Sequence, residues 1–282
     1  MMLESELVVF SLIVTSIDRV KGLMKFLQSI EKQSVSGFEV EIIFVDQSVG
    51  LFDSVLEEFP MLKILSVRTG RCSLSAARNL GMKHATGSIF AFPDDDCTYY
   101  PDTLQRAFDI LVCQPVSALV GRIYDRATGR AILKAWPEAR KMLARYEAFR
   151  YASSITIFTK MYIEFDARMG LGAEFGSCED VDALYSIISE GTVAYEPGVE
   201  VWHPDYSLES STIEKALGYG RGFGFFHRKH FDWFWALYFI AGCGYTCIKF
   251  FTALLRFDFQ GARVRAHSLS GRILGLFGII KS

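Results

Sequence analysis

Along the first 125 residues, short β-rich apolar runs alternate with stretches whose apolar positions recur every three or four residues. Leu7–Ser16, Glu41–Asp46, Lys63–Val67, Ser88–Phe92 and Ser117–Tyr124 predict strands. Val20–Lys32, Phe52–Phe59, Leu74–Ala85 and Asp102–Val112 predict the helices between them. Pro101 falls at the first turn of the last helix, where a missing N–H breaks no bond. Such alternation builds βαβ units and a largely parallel sheet covered on both faces, an α/β fold.

Ligands of these sheets bind at the carboxyl ends of the strands. The polar residues fall there: Thr15 and Ser16 after the first strand, Asp46 at the end of the second, Arg68 and Thr69 after the third, and Asp94–Asp96 after the fourth. Their convergence on one edge is a stronger signal than any of them alone.

Beyond Arg126 the pattern loosens. A helix is expected near Glu138–Phe149, a strand near Ser154–Phe158, and short strands at Thr192–Tyr195 and Val199–Trp202. A glycine-rich stretch, Gly170–Gly176, leads into Cys178–Glu179–Asp180–Val181–Asp182 and a helix. No repeat or low-complexity linker interrupts the chain.

The net charge of −2 argues against a protein that tracks nucleic-acid phosphates, so no nucleic-acid partner is expected. Six cysteines without a CxxC pair or zinc-type spacing read as reduced thiols of a cytosolic protein. The opening MMLESELVVFSLIVTS has no basic start and no small-residue cleavage site, so it reads as a first strand rather than a signal peptide.

The acidic run in FAFPDDDC needs an explanation, because adjacent carboxylates repel unless water or a cation offsets them. One reading is a solvated turn or helix cap ahead of Pro101. The other is a site for Mg²⁺ or Mn²⁺, hard cations that suit carboxylates and bridge to phosphate oxygens.

In order and spacing, VTS–DR near Ser11–Arg19, IIFVDQS at Ile42–Ser48, SAARNLGMKHATGSIFAFPDDD at Ser75–Asp96, GSCEDVDALY at Gly176–Tyr185 and VWHPD at Val201–Asp205 resemble glycosyltransferase family 2. The resemblance covers roughly residues 7 to 205 and implies the GT-A fold. It implies an inverting glycosyltransferase using a nucleotide-sugar donor, with UDP as the default nucleotide and Mn²⁺ or Mg²⁺ as cofactor. By the same resemblance, Thr15 and Asp46 hold the nucleotide base, Asp94 the donor ribose and Asp96 the metal bridging the diphosphate. Asp95 shares duties with its neighbours, Arg78 and Asn79 lie near the donor, and Asp180 is the catalytic base. His203 is similar to a later metal ligand of some GT-A enzymes; a lone histidine after a strand is also commonly structural. A Tyr-Asn-Arg-like run frequent in the family after the first strand is replaced by Ser16–Ile17–Asp18–Arg19.

The C-terminal region, 211–282, reads as a helical, membrane-associating appendage to a catalytic domain of residues 1–210. Gly218–Gly224 follows no strand and is not a dinucleotide fingerprint; it resembles a segment that closes over donor or acceptor in membrane-associated family members. Trp233–Leu255 carries Lys249 as its only charge and is long enough to span a bilayer. Basic residues flank it on both sides, so a single span would export a basic tail against the positive-inside tendency. An in-plane helix is therefore expected, with Leu269–Ile280 beside it, on the cytoplasmic face of the plasma membrane. A core helix or an oligomer contact is the rival reading. The expected acceptor is a glycan or lipid-linked hydroxyl. The alternative function is a non-catalytic nucleotide-sugar-binding subunit of a membrane glycan-assembly complex. A nucleotidyltransferase lacks its Arg-bearing loop here, and a phosphohydrolase its nucleophilic aspartate, after the first strand.

Overall fold

The computed structural model describes residues 7–48, 50–205 and 212–279. The chain divides into two compact units. The first comprises Met1–Cys72, Ala77–Glu164 and Ala183–Ser207; the second comprises Ser73–Ala76, Phe165–Asp182 and Leu208–Ser282. The expected boundary at 210/211 lies outside the described residues.

The strands, in chain order, are β1 (Val8–Ser16), β2 (Phe38–Asp46), β3 (Lys63–Arg68), β4 (Ile89–Ala91), β5 (Thr98–Tyr99), β6 (Ala118–Asp125), β7 (Arg130–Ala131), β8 (Lys141–Met142), β9 (Ile157–Thr159) and β10 (Val193–Trp202). The helices are α1 (Val20–Glu31), α2 (Asp53–Glu57), α3 (Leu74–Met82), α4 (Thr103–Cys113), α5 (Ala148–Tyr151), α6 (Glu179–Glu190), α7 (Ile213–Lys229), α8 (Trp233–Leu255) and α9 (Phe259–Phe277).

All the strands belong to the first unit, in the order β3-β2-β1-β4-β9-β6-β10-β5, with β7 beside β6 and β8 beside β10. The pairs β1–β2, β2–β3, β1–β4 and β6–β10 are parallel, whereas β9 runs antiparallel to both its neighbours. Strand β1 is central and reads as an unbroken apolar run because both its faces are covered: Phe10, Leu12, Ile13 and Val14 are fully buried. Glu41 is buried in β2 and accepts from Ser11 Oγ (2.6 Å), Thr86 N–H (2.7 Å) and Thr86 Oγ1 (2.9 Å), which hold its carboxyl pKa below the ordinary value although burial alone would raise it.

Three expectations are corrected. Glu138–Phe149 is not one helix: Lys141 and Met142 pair with Tyr195 and Ala194 of β10, and only Ala148–Tyr151 is α-helical. Sheet pairing there overrides local helix propensity. The two short strands expected at 192–202 are the single strand β10 with a register irregularity between Tyr195 and Glu200. Pro101 precedes rather than opens α4, whose N-cap is Asp102.

In the second unit, Thr212 caps α7 by accepting from Lys215 N–H, and Asp232 caps α8 by accepting from Trp235 N–H. Asp258 likewise caps α9, which ends on Gly278 in the left-handed conformation. Helix α9 thus begins ten residues before the expected Leu269, and Ile280 lies outside the described residues.

The stretch Gly218–Gly224 is helical, inside α7. Every second residue from 218 to 224 is glycine, and on a helix that spacing resolves into two rows four residues apart. One row, Gly220 and Gly224, meets α9: a Cβ at Gly220 would lie 2.2 Å from the Ser268 carbonyl oxygen, and one at Gly224 would lie 2.1 Å from that of Arg272. Across the contact, a Cβ at Gly275 would fall 2.1 Å from the Arg221 carbonyl oxygen. The other row meets the Gly176–Ser177 segment, where a Cβ on Gly222 would lie 2.4 Å from the Ser177 carbonyl oxygen. These glycines exist for close packing of small residues, not for a mobile loop.

Helix α8 is long and apolar enough to cross a membrane, and only 11% of its most apolar window is buried. Trp233, Leu237, Ile240, Ile248, Phe251 and Leu255 are exposed, so it is not the core helix that the sequence left open.

Candidate active site

Strand register assembles the first half of the site. Ser16 and Asp46 end β1 and β2 as direct partners, and Thr15 pairs with Asp94 through an isolated parallel bridge just beyond β4. Asp46 is 2% exposed. Its Oδ1 accepts from Ser48 N–H at 2.7 Å, while Oδ2 has no hydrogen-bond partner among the described residues and lies 4.0 Å from Arg68 Nε. A buried carboxylate oxygen left open in this way is ready to accept from a ligand N–H. Asp18, Gln47, Ser48, Leu51, Gly70 and Arg71 line a cavity of about 420 Å³ at this edge.

The acidic run is sorted by its partners. Arg78, 1% exposed, donates from Nη2 to Asp94 Oδ1 at 2.9 Å and to Ser154 Oγ at 2.8 Å. Asp95 turns inward, accepting from Ser16 Oγ and, at 3.1 Å, from Arg19 Nη1. The same guanidinium nitrogen donates to Asp96 Oδ2 at 2.7 Å. A side chain on Gly22 would strike the Asp95 carbonyl oxygen at 2.8 Å, so α1 approaches the acidic loop closely. Burial raises the Asp95 pKa to about 6, with Asp96 and Asp94 adding to the rise and Ser16 and Arg19 opposing it. Burial raises Asp94 as well, against the pull of Arg78.

His203 completes a cluster. Donor atoms of Asp94, Asp96 and His203 all lie within 4.8 Å of one another. Burial would lower the imidazole pKa, but pairing with Asp96, whose Oδ1 lies 3.4 Å from Nε2, outweighs it and the pKa is raised. Nδ1 donates to the Pro204 carbonyl at 2.7 Å, which fixes the ring and turns Nε2 toward the carboxylates, as in a metal-binding histidine. Two carboxylates and one imidazole form a donor set suited to a divalent cation such as Mn²⁺. The sequence reading placed Asp96 and His203 in the metal site; the geometry adds Asp94 to the donors in reach. Reading the sequence placed Ser16 at this edge without its bond to Asp95, and missed Arg19 and Ser154 as partners. Of these, Ser16 and Arg19 carried a signal, in the Ser16–Ile17–Asp18–Arg19 run that departs from the Tyr-Asn-Arg pattern.

Asp180 belongs to the second unit. It stands in the first turn of α6, its Oδ1 accepting from Val181 N–H at 2.8 Å, and it lines a cavity of about 590 Å³ with Glu179, Tyr219 and Arg272. Asp182, two residues on, is 4% exposed and bound by His230 Nε2 at 2.6 Å and Lys229 Nζ at 2.9 Å. Lys229 also donates to Asp166 at 3.1 Å. Asp182 therefore ties α6 to the end of α7, and Asp180 is the carboxylate of the pair that faces the cavity.

Residues 11–165, more than half the chain, match the model of Glycosyl transferase family 2. The chain belongs to that family. This glycosyltransferase resembles S. aureus TarS 1–349 in complex with UDP-GlcNAc, with 14% identity over 96% of this chain and 92% of the other and a TM-score of 0.59. It also resembles the mannosyltransferase PcManGT from Pyrobaculum calidifontis in complex with GDP-Man and Mn²⁺, with 15% identity over 95% and 87% and a TM-score of 0.62. Against a longer S. aureus TarS structure it spans 44% of that chain, with 18% identity over 79% of its own length and a TM-score of 0.58. At these identities the likeness is one of fold, the GT-A arrangement with a mainly parallel sheet. A search of curated proteins finds no match.

Proposed function

We propose that this glycosyltransferase moves a sugar from a nucleoside-diphosphate donor, UDP by preference, to a hydroxyl of a glycan or lipid-linked acceptor, with inversion at the anomeric carbon. The observation that carries the reading is the Asp94–Asp96–His203 cluster with His203 held by Pro204. It is supported by neighbours of the same fold, one solved in complex with UDP-GlcNAc and one in complex with GDP-Man and Mn²⁺.

In this reading Asp46 accepts from the base, Thr15 lies beside it, and Arg78 holds Asp94 in place toward the donor ribose. Asp95 orients Arg19 and Ser16 around the acidic loop. Asp94, Asp96 and His203 would hold Mn²⁺ or Mg²⁺, which when bound would supply positive charge against the departing diphosphate. Asp180 takes the proton from the acceptor hydroxyl as its oxygen forms the new bond to the anomeric carbon. The bond to the diphosphate breaks on the opposite face, and the nucleoside diphosphate leaves.

The proposed division is a catalytic domain over 1–210 and a membrane-associating region over 211–282. The exposed apolar surface of α8 supports membrane association, with the helix in the membrane plane, and the cytoplasmic face of the plasma membrane is proposed because nucleotide sugars are cytosolic.

The test is calorimetric titration of the detergent-solubilised chain with UDP, GDP and dTDP, with and without Mn²⁺, repeated on Asp96→Ala. Metal-dependent binding of one nucleotide, weakened at least about tenfold in the variant, is expected. Binding that ignores Mn²⁺ and the substitution would remove the metal assignment.

A further inference from the structure

Two cavities in the helical unit share a wall. One, of about 590 Å³, contains Ser177, Glu179, Asp180, Tyr219 and Phe223. The other, of about 630 Å³, contains Tyr245, Lys249, Asp258 and Arg265. Tyr219, Ser268 and Arg272 line both, so these side chains are the partition between them. Each volume is within the usual range for a ligand pocket.

The two sides carry opposite charge. Glu179 and Asp180 make one acidic, while Lys249 and Arg265 outnumber Asp258 on the other, with Arg272 in the wall between them. Arg265 approaches Asp258 only to 3.9 Å, the loose limit of an ion pair. The Lys249 ammonium sits 4.9 Å over the Tyr245 ring. The Arg272 guanidinium stacks on Phe223 at 4.2 Å, and its Nε and Nη1 have no hydrogen-bond partner among the described residues. An arginine fixed by stacking with unmet, buried donors fits an anion with several oxygens, and leaving those donors unmet costs free energy. A cluster of this charge suits a phosphate ester better than a single carboxylate. Tyr245 and Lys249 come from α8, whose outer surface is apolar, so a hydrocarbon chain on the phosphate has a surface to follow.

We propose that the two cavities form one acceptor site for a phosphate ester of an apolar chain, its phosphate held by Arg272, Lys249 and Arg265 and its sugar hydroxyl presented to Asp180. The assignment rests on the reading of Asp180 as the base. It adds what the acceptor must carry: a negative charge beyond the reacting hydroxyl.

The full chain in neutral detergent is titrated with farnesyl monophosphate, with farnesol and with inorganic phosphate. Farnesyl monophosphate is expected to bind at least tenfold more tightly than farnesol, and Arg272→Gln to weaken it on the order of ten- to a hundredfold. Arg272 also packs on Phe223, so a Lys249→Gln/Arg265→Gln double variant, altering less buried positions, is run alongside and should weaken binding too. Equal affinity for phosphate and alcohol, or unchanged affinity in both variants, overturns the proposal. Phosphatidylglycerol competing as well as farnesyl monophosphate, in the same detergent, would assign the cations to a membrane headgroup and overturn the acceptor role. Titration with UDP and Mn²⁺ is scored separately: a chain that binds UDP yet ignores the phosphate ester fails here alone. A chain that binds the ester but no nucleotide fails at the underlying reading.

Discussion

Replacing Gly224 by alanine would put a methyl group 2.1 Å from the Arg272 carbonyl oxygen and 2.7 Å from the Leu276 nitrogen. Carbon and oxygen rest at about 3.3 Å or more, so α7 and α9 must part by roughly 1 Å at that point. Both opposing atoms are backbone, and no side chain can swing aside. Overpacking of this kind costs about 1–3 kcal/mol, here toward the upper end, and alanine's better helix propensity returns about 1 kcal/mol. A net loss on the order of 2 kcal/mol follows, which lowers a melting temperature by about 4–8 °C for a chain of this size class. Gly244, in α8, is the internal control: a Cβ there meets nothing within 4 Å, so Gly244→Ala changes only helix propensity and should be neutral or stabilising by up to about 1 kcal/mol. Thermal unfolding of both variants followed by circular dichroism in the same detergent separates the effects. Equal melting temperatures for the two variants would refute the close-packing argument.

Asp180→Asn should abolish transfer from the nucleotide sugar while UDP binding persists, measured by product release and calorimetry; normal turnover would remove Asp180 as the base. His227 is 1% exposed, and burial lowers its pKa to about 4 although its Nδ1 donates to the Phe223 carbonyl. An unfolded chain takes up this proton below about pH 6.5 and the native chain only below about 4, so stability should fall as pH drops through that window, by on the order of 3 kcal/mol. His227→Leu should flatten that acid limb in pH-dependent unfolding, and an unchanged limb would mean that other groups cause it.

The parallel strands were legible because burial on both faces leaves them as plain apolar runs; β1 and β2 were read within three residues of their observed ends. Strand β5 has two residues, too few to show a period, and is defined only by its pairing with β10. The helix expected over Glu138–Phe149 failed for a related reason, since nothing local announces that Lys141 and Met142 will join a sheet edge. The glycines of α7 gave no packing partner in the sequence, because their two rows separate only when the alternating pattern is folded at 100° per residue. At the site, the charged residues were legible by type and order. The partners of Ser16 and Ser154 were not, because a serine's partners are set by tertiary structure. The apolar length of Trp233–Leu255 gave the limits of α8 directly, whereas Gly261, Arg263 and Arg265 hid the first half of α9.

Ser16 is hydrogen-bonded to Asp95 and stands opposite Asp46 in the sheet. The proposed base-binding carboxylate and the proposed diphosphate end are thereby spaced by the register of neighbouring strands, which act as a fixed ruler between them. Sliding β1 by one residue would turn Thr15 and Ser16 to opposite faces and disconnect both ends at once. The ruler is made of backbone, so side-chain substitutions along it can retune which base is read without changing how far the phosphates lie from it.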